Sequence, residues 1–290
     1  MNRLPDHTKG LIVSLAGIVV LSPDSLLVRL INTDPWTLLF WRGLLMAIGV
    51  SIGLIANYRH HVLKAFFHIG RSGLLASALM GIGTILFVQA LSRTSVANVF
   101  IIIGIGPLFA ALLGRAFLKE TVHLRTWLAI GGALIGIWIA VVDDGQSGRL
   151  VGDLCAAAAA LCHAGYLTLL RSAQDVDMTP TVVVGGAFVA VAVWVPAAPL
   201  SLTPEDAAYS LLLGLFILPV SLALIAIGPR YLPAPEVNLV MLLEMVLGPY
   251  WVWLVLDEEP GQRAVVGGVI VLTVLLLHSV ASLRAQSAKL

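Results

Sequence analysis

The chain has 290 residues, of which 59% are hydrophobic and 11% charged, and its net charge is +1. Soluble domains are about half apolar and about a quarter charged, so this composition excludes a soluble protein and indicates an integral membrane protein. The near-zero net charge argues against nucleic acid as a partner. The sequence has no nucleotide-binding loop, no metal-ligand spacing and no G-x-S-x-G motif. We therefore expect no ATP-driven pumping, no cofactor, no metal and no enzymatic activity.

Ten apolar segments follow one another along the chain with short connections. A helix needs about 20 apolar residues to cross a bilayer, whereas strands of an outer-membrane barrel are about ten residues long and alternate in polarity. The segments match the first pattern, so the predicted fold is all-α with ten transmembrane helices. They cover residues 10–31, 36–57, 71–92, 96–118, 124–142, 151–171, 180–200, 207–230, 235–256 and 262–283.

Positive charge is distributed unevenly between the two faces that these helices would create. An even number of spans puts both termini on one face, and most lysines and arginines lie in the segments of that face. Cytoplasmic loops carry the excess of such residues. We therefore expect a multi-pass protein of the bacterial cytoplasmic (inner) membrane, with both termini cytoplasmic. It would lie in the lipid bilayer as a monomer or a homodimer.

The two halves of the chain are faintly alike. Aligning Glu120 with Glu258 gives an offset of 138, and aligning residues 21–29 with 163–171 gives an offset of 142. The similar offsets indicate a duplication, with residues 1–145 and 146–290 as two five-helix repeats. An odd number of helices inverts the second repeat in the membrane. In transporters built this way the substrate site lies between the repeats, near the midplane.

Two stretches at corresponding places carry a family resemblance. RTSVANVFIIIGIGPLFAALLGRAFLKE (93–120), with a Glu thirteen positions after its Pro, resembles the fourth-helix signature of EamA-type permeases of the drug/metabolite transporter superfamily. PEVNLVMLLEMVLGPYWVWLVLDEEP (235–260) resembles the second copy of that signature. A Leu-Glu-Pro triplet is usual there, whereas this chain has Leu-Glu-Met and a Pro four positions later. FWRG (40–43) resembles the second-helix arginine motif.

The resemblance covers essentially the whole chain. It implies a two-repeat secondary transporter or facilitator, often an exporter of amino acids or other small metabolites.

Glu244 is the first candidate for a substrate-binding residue, because it lies within an apolar segment long enough to span the membrane. A charge at the centre of a bilayer costs about 3 kcal/mol on insertion scales. The carboxylate could bind a substrate ammonium group or carry a proton. The alternative is a structural carboxyl that joins two helices by a hydrogen bond.

Glycine and proline pairs occur within the fourth and ninth segments. Each proline removes one hydrogen bond of the helix and disfavours a straight course. Interrupted helices at corresponding places in two repeats are typical of transporter binding sites. We predict hinges at Gly106 and Pro107 and at Gly248 and Pro249. Static kinks that only improve packing are the alternative.

Asp24 and Arg42 lie at similar depths in the first two segments, which would be adjacent and antiparallel. An ion pair would lower the cost of burying both charges. We predict that they pair, either as a structural contact or gate latch or with a direct substrate role.

Three further polar residues are candidate substrate-binding residues. His163 and Tyr166 are three residues apart and share a helix face, in a segment that the resemblance implies to be a cavity wall. Asn98 precedes the break of the fourth segment and could bind a polar substrate. Hydrogen bonds between helices are the alternative for all three. His278 has no evident partner in the sequence, and we expect a structural role.

The sequence thus favours a secondary transporter or facilitator that exports small organic metabolites, such as amino acids, by alternating access, with or without proton coupling. Two other classes stay open. A membrane enzyme acting on lipid-linked substrates would show polar residues clustered at one interface, and the acidic residues here are scattered. A passive channel would show a ring of like charge, and a purely structural membrane protein has no such requirement.

Overall fold

The computed structural model describes residues 6–59, 62–118, 124–141, 149–173, 176–227, 231, 240–241 and 243–287. Within these ranges the regular elements are helices, and there is no strand. The α-helices are α1 (Asp6–Leu21), α2 (Asp24–Leu30), α3 (Pro35–Tyr58), α4 (Val62–His68), α5 (Gly70–Leu91), α6 (Val96–Ile103), α7 (Gly106–Leu118), α8 (Leu124–Val141), α9 (Arg149–Ser172), α10 (Pro180–Ala192), α11 (Pro204–Leu211), α12 (Leu218–Ile227), α13 (Glu244–Leu256) and α14 (Gln262–Ser287). The predicted all-α class is confirmed for this part of the chain.

Six helical stretches are long and apolar enough to cross a membrane. They are Thr8–Leu30, Pro35–Tyr58, Gly70–Leu91, Val96–Phe117, Arg149–Leu170 and Pro204–Ile225. Four shorter apolar helices overlap the remaining predicted segments. The protein is therefore a multi-pass membrane protein, while ten spans and the inversion of the repeats stay predictions. The seventh predicted segment is shorter than expected, because α10 ends at Ala192, ahead of Pro196 and Pro199.

The break predicted in the fourth segment is confirmed. Helix α6 ends at Ile103 and α7 begins at Gly106, with Pro107 as its second residue. A Cβ on Gly104, between the two helices, would lie 3.0 Å from the sulfur of Met245. The break therefore faces the start of α13. Glu120, which completes the signature, lies outside the described residues, as does nearly all of 232–242.

The prediction of a helix break at Gly248 and Pro249 is wrong. Pro249 lies inside α13, which is continuous from Glu244 to Leu256. Packing gives the physical reason. A Cβ on Gly248 would lie 2.5 Å from the ring of Phe100, so α13 is held closely against α6. Membrane helices tolerate proline when neighbouring helices support the altered backbone. A hinge role for this pair stays a prediction.

Two helix pairs approach through glycine. A Cβ on Gly43 of α3 would lie 2.6 Å from the carbonyl oxygen of Gly186 on α10. A Cβ on Gly267 of α14 would lie 2.4 Å from the carbonyl oxygen of Gly136 on α8. Small residues allow membrane helices to pack at such short range. Gly132 and Gly136, four residues apart on α8, both lie against α14 and thus serve packing within one protomer.

Two helices, α2 and α6, are almost fully buried at the end of the bundle that carries Arg29, which we call the Arg29 end. All residues of α2 from Asp24 to Val28 are buried, as are those of α6 from Val96 to Ile102. In α3 the buried residues lie between Thr37 and Ala47, apart from Leu54. Most of the buried apolar residues of these three helices belong to the larger hydrophobic cluster, and a second cluster extends along α7, α8 and α14 to Leu108, Ala129 and Leu275.

Candidate functional site

A buried ion pair joins α2 and α3. Arg42 donates from Nη2 to Asp24 Oδ2 at 2.8 Å and from Nη1 to Asp24 Oδ1. Asp24 is 4% and Arg42 7% exposed, so the protein encloses both charges. A guanidinium that donates two parallel bonds to a carboxylate lowers the cost of burying either charge. The predicted pairing is confirmed.

A helix break immediately before Asp24 sets the position of its carboxylate. Pro23 has no N–H to donate to the carbonyl of Val19, so α1 ends before it. Ser22 Oγ donates to the freed Val19 carbonyl at 2.9 Å. From α13, Trp251 Nε1 donates to Ser22 Oγ at 2.9 Å. The first predicted segment is therefore two helices rather than one, and α13 braces the junction.

Aromatic rings enclose the other side of the guanidinium. Arg42 Cζ lies 5.8 Å from the centre of the Phe87 ring, within range of a cation–π interaction. Phe87 in turn packs edge-on against Phe100, with ring centres 6.3 Å apart. Arg42 Nε is buried and has no hydrogen-bond partner among the residues that the structure describes. One donor of this arginine is thus uncommitted.

Glu244 completes a cluster of three ionisable groups, which we call the charged cluster: Asp24, Arg42 and Glu244. The side chain of Glu244 is partly exposed and lies within electrostatic range of both other members. Among the described residues, none forms an ion pair or hydrogen bond with it. Asp24 already occupies two donors of the arginine, so Glu244 and Arg42 Nε are the groups of the cluster able to receive a further partner.

Among the described residues, no hydrogen bond or ion pair joins the other predicted site residues to the charged cluster. Asn98 is buried in the first turn of α6, where its backbone N–H donates to Ser95 Oγ at 3.3 Å. The rings of His163 and Tyr166 lie 6.1 Å apart on α9, and the histidine side chain is exposed. Tyr166 Oη lies 3.5 Å from the hydroxyl of Thr181 on α10. The shared face predicted for the α9 pair is confirmed.

His278 has a partner that the sequence alone does not identify. Its Nε2 lies 3.1 Å from Thr126 Oγ1, so it joins α14 to α8. The hydrogen bond crosses 152 residues of sequence, which explains why no local pattern indicated it. The expected structural role fits this contact.

Sequence reasoning missed a second ionic contact, at the Arg29 end. Arg29 Nη2 donates to Glu258 Oε1 at 3.2 Å and to the carbonyl of Thr94 at 2.9 Å. Glu258 Oε1 also accepts from the backbone N–H of Val96 at 3.3 Å. We call these four residues the Arg29 cluster. In the sequence, Glu258 serves only as a marker of the repeat.

Asp153, in the first turns of α9, is a buried acid that sequence reasoning also missed. It is 7% exposed, and its Oδ1 has no hydrogen-bond partner within the described part of the chain. The hydroxyl of Thr94 adjoins it but lacks the geometry of a hydrogen bond. A carboxylate within the apolar segment 151–171 was the available signal.

A bundle of long apolar helices with charges enclosed between them defines a multi-pass membrane protein with a polar site inside the membrane. The model of the EamA-like transporter family matches residues 8–142 and again 150–280. The chain therefore belongs to the EamA-like transporter family, and the resemblance seen in the sequence is confirmed.

Solved structures agree on the architecture. One protein of known crystal structure superposes with a TM-score of 0.68 over 94% of this chain and 98% of its own, at 16% sequence identity. At that identity the likeness shows the fold alone. No curated protein matches the sequence.

Proposed function

We propose that the protein is a secondary transporter or facilitator that exports small organic metabolites, amino acids among them, by alternating access. The observation that carries this proposal is the charged cluster of Asp24, Arg42 and Glu244, enclosed in a chain that belongs to a transporter family. Ionisable groups within membrane segments are rare and are typical of substrate or ion pathways.

The paired and unpaired groups within the charged cluster suggest the class of substrate. Asp24 and Arg42 neutralise each other through two hydrogen bonds. Glu244 has no such partner among the described residues, so its carboxylate is available for a substrate ammonium group or a proton. The free Nε of Arg42 could donate to a substrate carboxylate once the cluster rearranges. An amino acid carries both groups.

The movement that we propose uses the helix interruptions. The break between α6 and α7, at Gly104 to Gly106, faces the start of α13, where Glu244 lies. A change of angle at this break would move the wall of the site relative to the carboxylate. Gly106 with Pro107 is the proposed first hinge, and Gly248 with Pro249 is the proposed second. Asn98, His163 and Tyr166 are proposed wall residues.

The membrane arrangement is part of the proposal. Ten helices in two inverted repeats would place both termini in the cytoplasm of a bacterium and the Arg29 end at the outer face. The excess of lysine and arginine on the terminus-bearing face supports this orientation.

A flux assay in proteoliposomes tests the function. Purified protein would be reconstituted and supplied with a panel of labelled amino acids and neutral or cationic metabolites, with and without a pH gradient. We expect protein-dependent exchange of at least one amino acid. A correctly folded protein that moves no small solute contradicts the proposal, and hydrolysis of a lipid-linked substrate would favour an enzyme instead.

A further inference from the structure

The Arg29 end is closed by contacts that connect the two halves of the chain. Arg29 and Thr94 belong to the first family match and Glu258 to the second. The guanidinium of Arg29 donates to the carboxylate of Glu258 and to the carbonyl of Thr94 through one nitrogen. The same carboxylate oxygen accepts from the N–H of Val96 at the start of α6. One ion pair thus joins α2, the turn before α6 and the turn after α13.

This ion pair lies at the surface rather than in the core. The side chains of Arg29 and Glu258 are 27% and 31% exposed. The charged cluster below it is under 10% exposed at Asp24 and Arg42. Water therefore reaches the ion pair but not the pair beneath it, as expected of a contact that separates a site from bulk solvent.

At and next to the ion pair, several buried polar atoms have no hydrogen-bond partner among the described residues. They are Arg29 Nε, Gln89 Nε2, Thr94 Oγ1 and Asp153 Oδ1. A buried polar atom without a partner is unfavourable, and water satisfies it on exposure. Opening this end would hydrate all four atoms and would break the ion pair. The ion pair thus favours the closed state, and the unpaired buried atoms oppose it. Opposing contributions of this kind allow an element to have both a closed and an open state.

We propose that Arg29 and Glu258 form a latch that holds the Arg29 end closed, and that its rupture admits water and solutes to the charged cluster from that face. The proposal rests on the proposed transport function, because it assigns these residues to one gate of the alternating-access cycle. Neither residue contacts the charged cluster, so they act by setting the population of the closed state.

Labelling of a buried cysteine tests the latch without any transported substrate. In a background carrying Cys155→Ala and Cys162→Ala, Ser25→Cys places a thiol one turn below Arg29 on α2, where the native side chain is 0% exposed. A membrane-impermeant thiol reagent is then applied to each face in turn. We expect slow labelling in this background. Added Glu258→Gln should raise the rate from the Arg29 face about twofold to fivefold, the effect of weakening a partly exposed ion pair.

Glu259→Gln is the matched control, because it removes the same charge from the exposed neighbouring residue. It should leave the labelling rate unchanged. Equal rates in the Glu258→Gln and Glu259→Gln proteins would overturn the latch. A protein without measurable flux but with faster labelling in Glu258→Gln would contradict the transport function and keep the latch.

Cross-linking gives a second test if the amide variant folds poorly. Arg29→Cys with Glu258→Cys, in the same cysteine-free background, would be joined by a short bifunctional thiol reagent with a cleavable disulfide. We expect the cross-link to lower the exchange flux at least about tenfold, because a latch held shut blocks one gate. Cleaving the disulfide of the cross-linker with a reducing agent should restore the flux. Unchanged flux in the cross-linked protein would overturn the proposal.

Discussion

Removal of either member of the buried Asp24–Arg42 pair should destabilise the protein, and the two losses should differ. Arg42→Gln leaves two carboxylates, those of Asp24 and Glu244, within electrostatic range and without a nearby cation in the charged cluster. Asp24→Asn leaves the guanidinium with Glu244 and with the ring of Phe87. The arginine variant should therefore be the less stable of the two.

The expected magnitudes follow from burial and geometry. Both side chains are under 10% exposed and share two hydrogen bonds. Breaking a buried pair by removal of one partner costs about 3–5 kcal/mol. We expect Asp24→Asn to lower the free energy of unfolding by an amount near the lower limit of this range and Arg42→Gln by an amount near its upper limit. The double variant should lose less stability than the two single variants together, since it leaves neither Asp24 nor Arg42 as a buried charge without its partner.

The free energy of unfolding can be measured by titrating a denaturing detergent into protein in mild micelles and following helix content. Arg71→Gln is a suitable control, because it removes an exposed arginine. Adding Glu244→Gln to Arg42→Gln should recover part of the loss, since it removes the repulsion between the two carboxylates.

Two outcomes would refute this reasoning. Single variants that unfold within about 0.5 kcal/mol of the parent, as surface substitutions do, would show that the pair carries no net stabilisation. Failure of Glu244→Gln to improve the arginine variant would show that Glu244 does not interact with Asp24.

Two shorter predictions concern single carboxylates. Glu244→Gln should abolish uptake driven by a pH gradient but keep counterflow, because an amide cannot carry a proton; unchanged driven uptake in the flux assay would contradict proton coupling, with Glu259→Gln as control. Asp34→Ala should cost about 1 kcal/mol at neutral pH, because Asp34 Oδ1 caps α3 by accepting from the N–H groups of Trp36 and Thr37. Burial raises the pKa of Asp34, but hydrogen bonds from Thr37 and Trp36 outweigh it and hold the pKa below its ordinary value of 3.8. The capping contribution should therefore be present at neutral pH and lost as the pH falls through that lowered pKa, and an unfolding series at acid pH would detect it.

Local chemistry accounts for what the sequence could predict. Apolar length located the membrane helices, since hydrocarbon thickness sets it. Equal depth in neighbouring helices was enough to pair Asp24 with Arg42. The break near Gly104 and Pro107 follows from the missing Cβ of one residue and the missing N–H of the other.

Contacts between distant parts of the chain account for what it could not predict. Arg29 and Glu258 are 229 residues apart, and no spacing pattern spans such a distance. Pro249 has the local chemistry of a break, yet α13 is continuous through it, where Gly248 lies against the ring of Phe100. In both cases tertiary packing determines the outcome.

Helix α2 links the charged cluster to the latch, and Pro23 makes this link movable. Asp24 and Arg29 lie five residues apart on a helix of seven residues. A tilt of α2 would therefore shift the Asp24–Arg42 pair and the Arg29–Glu258 latch together. Pro23 separates α2 from α1 and is accommodated by the hydrogen bond from Ser22 to Val19. Pro23→Ala would restore a backbone N–H that can donate to the carbonyl of Val19, and it would favour one continuous helix, since proline in a helix interior costs about 3 kcal/mol. We expect this variant to unfold at higher denaturant concentration and to exchange solutes more slowly. If stability rises while flux stays the same, α2 moves rigidly with α1, and the charged cluster and the latch are coupled by another element.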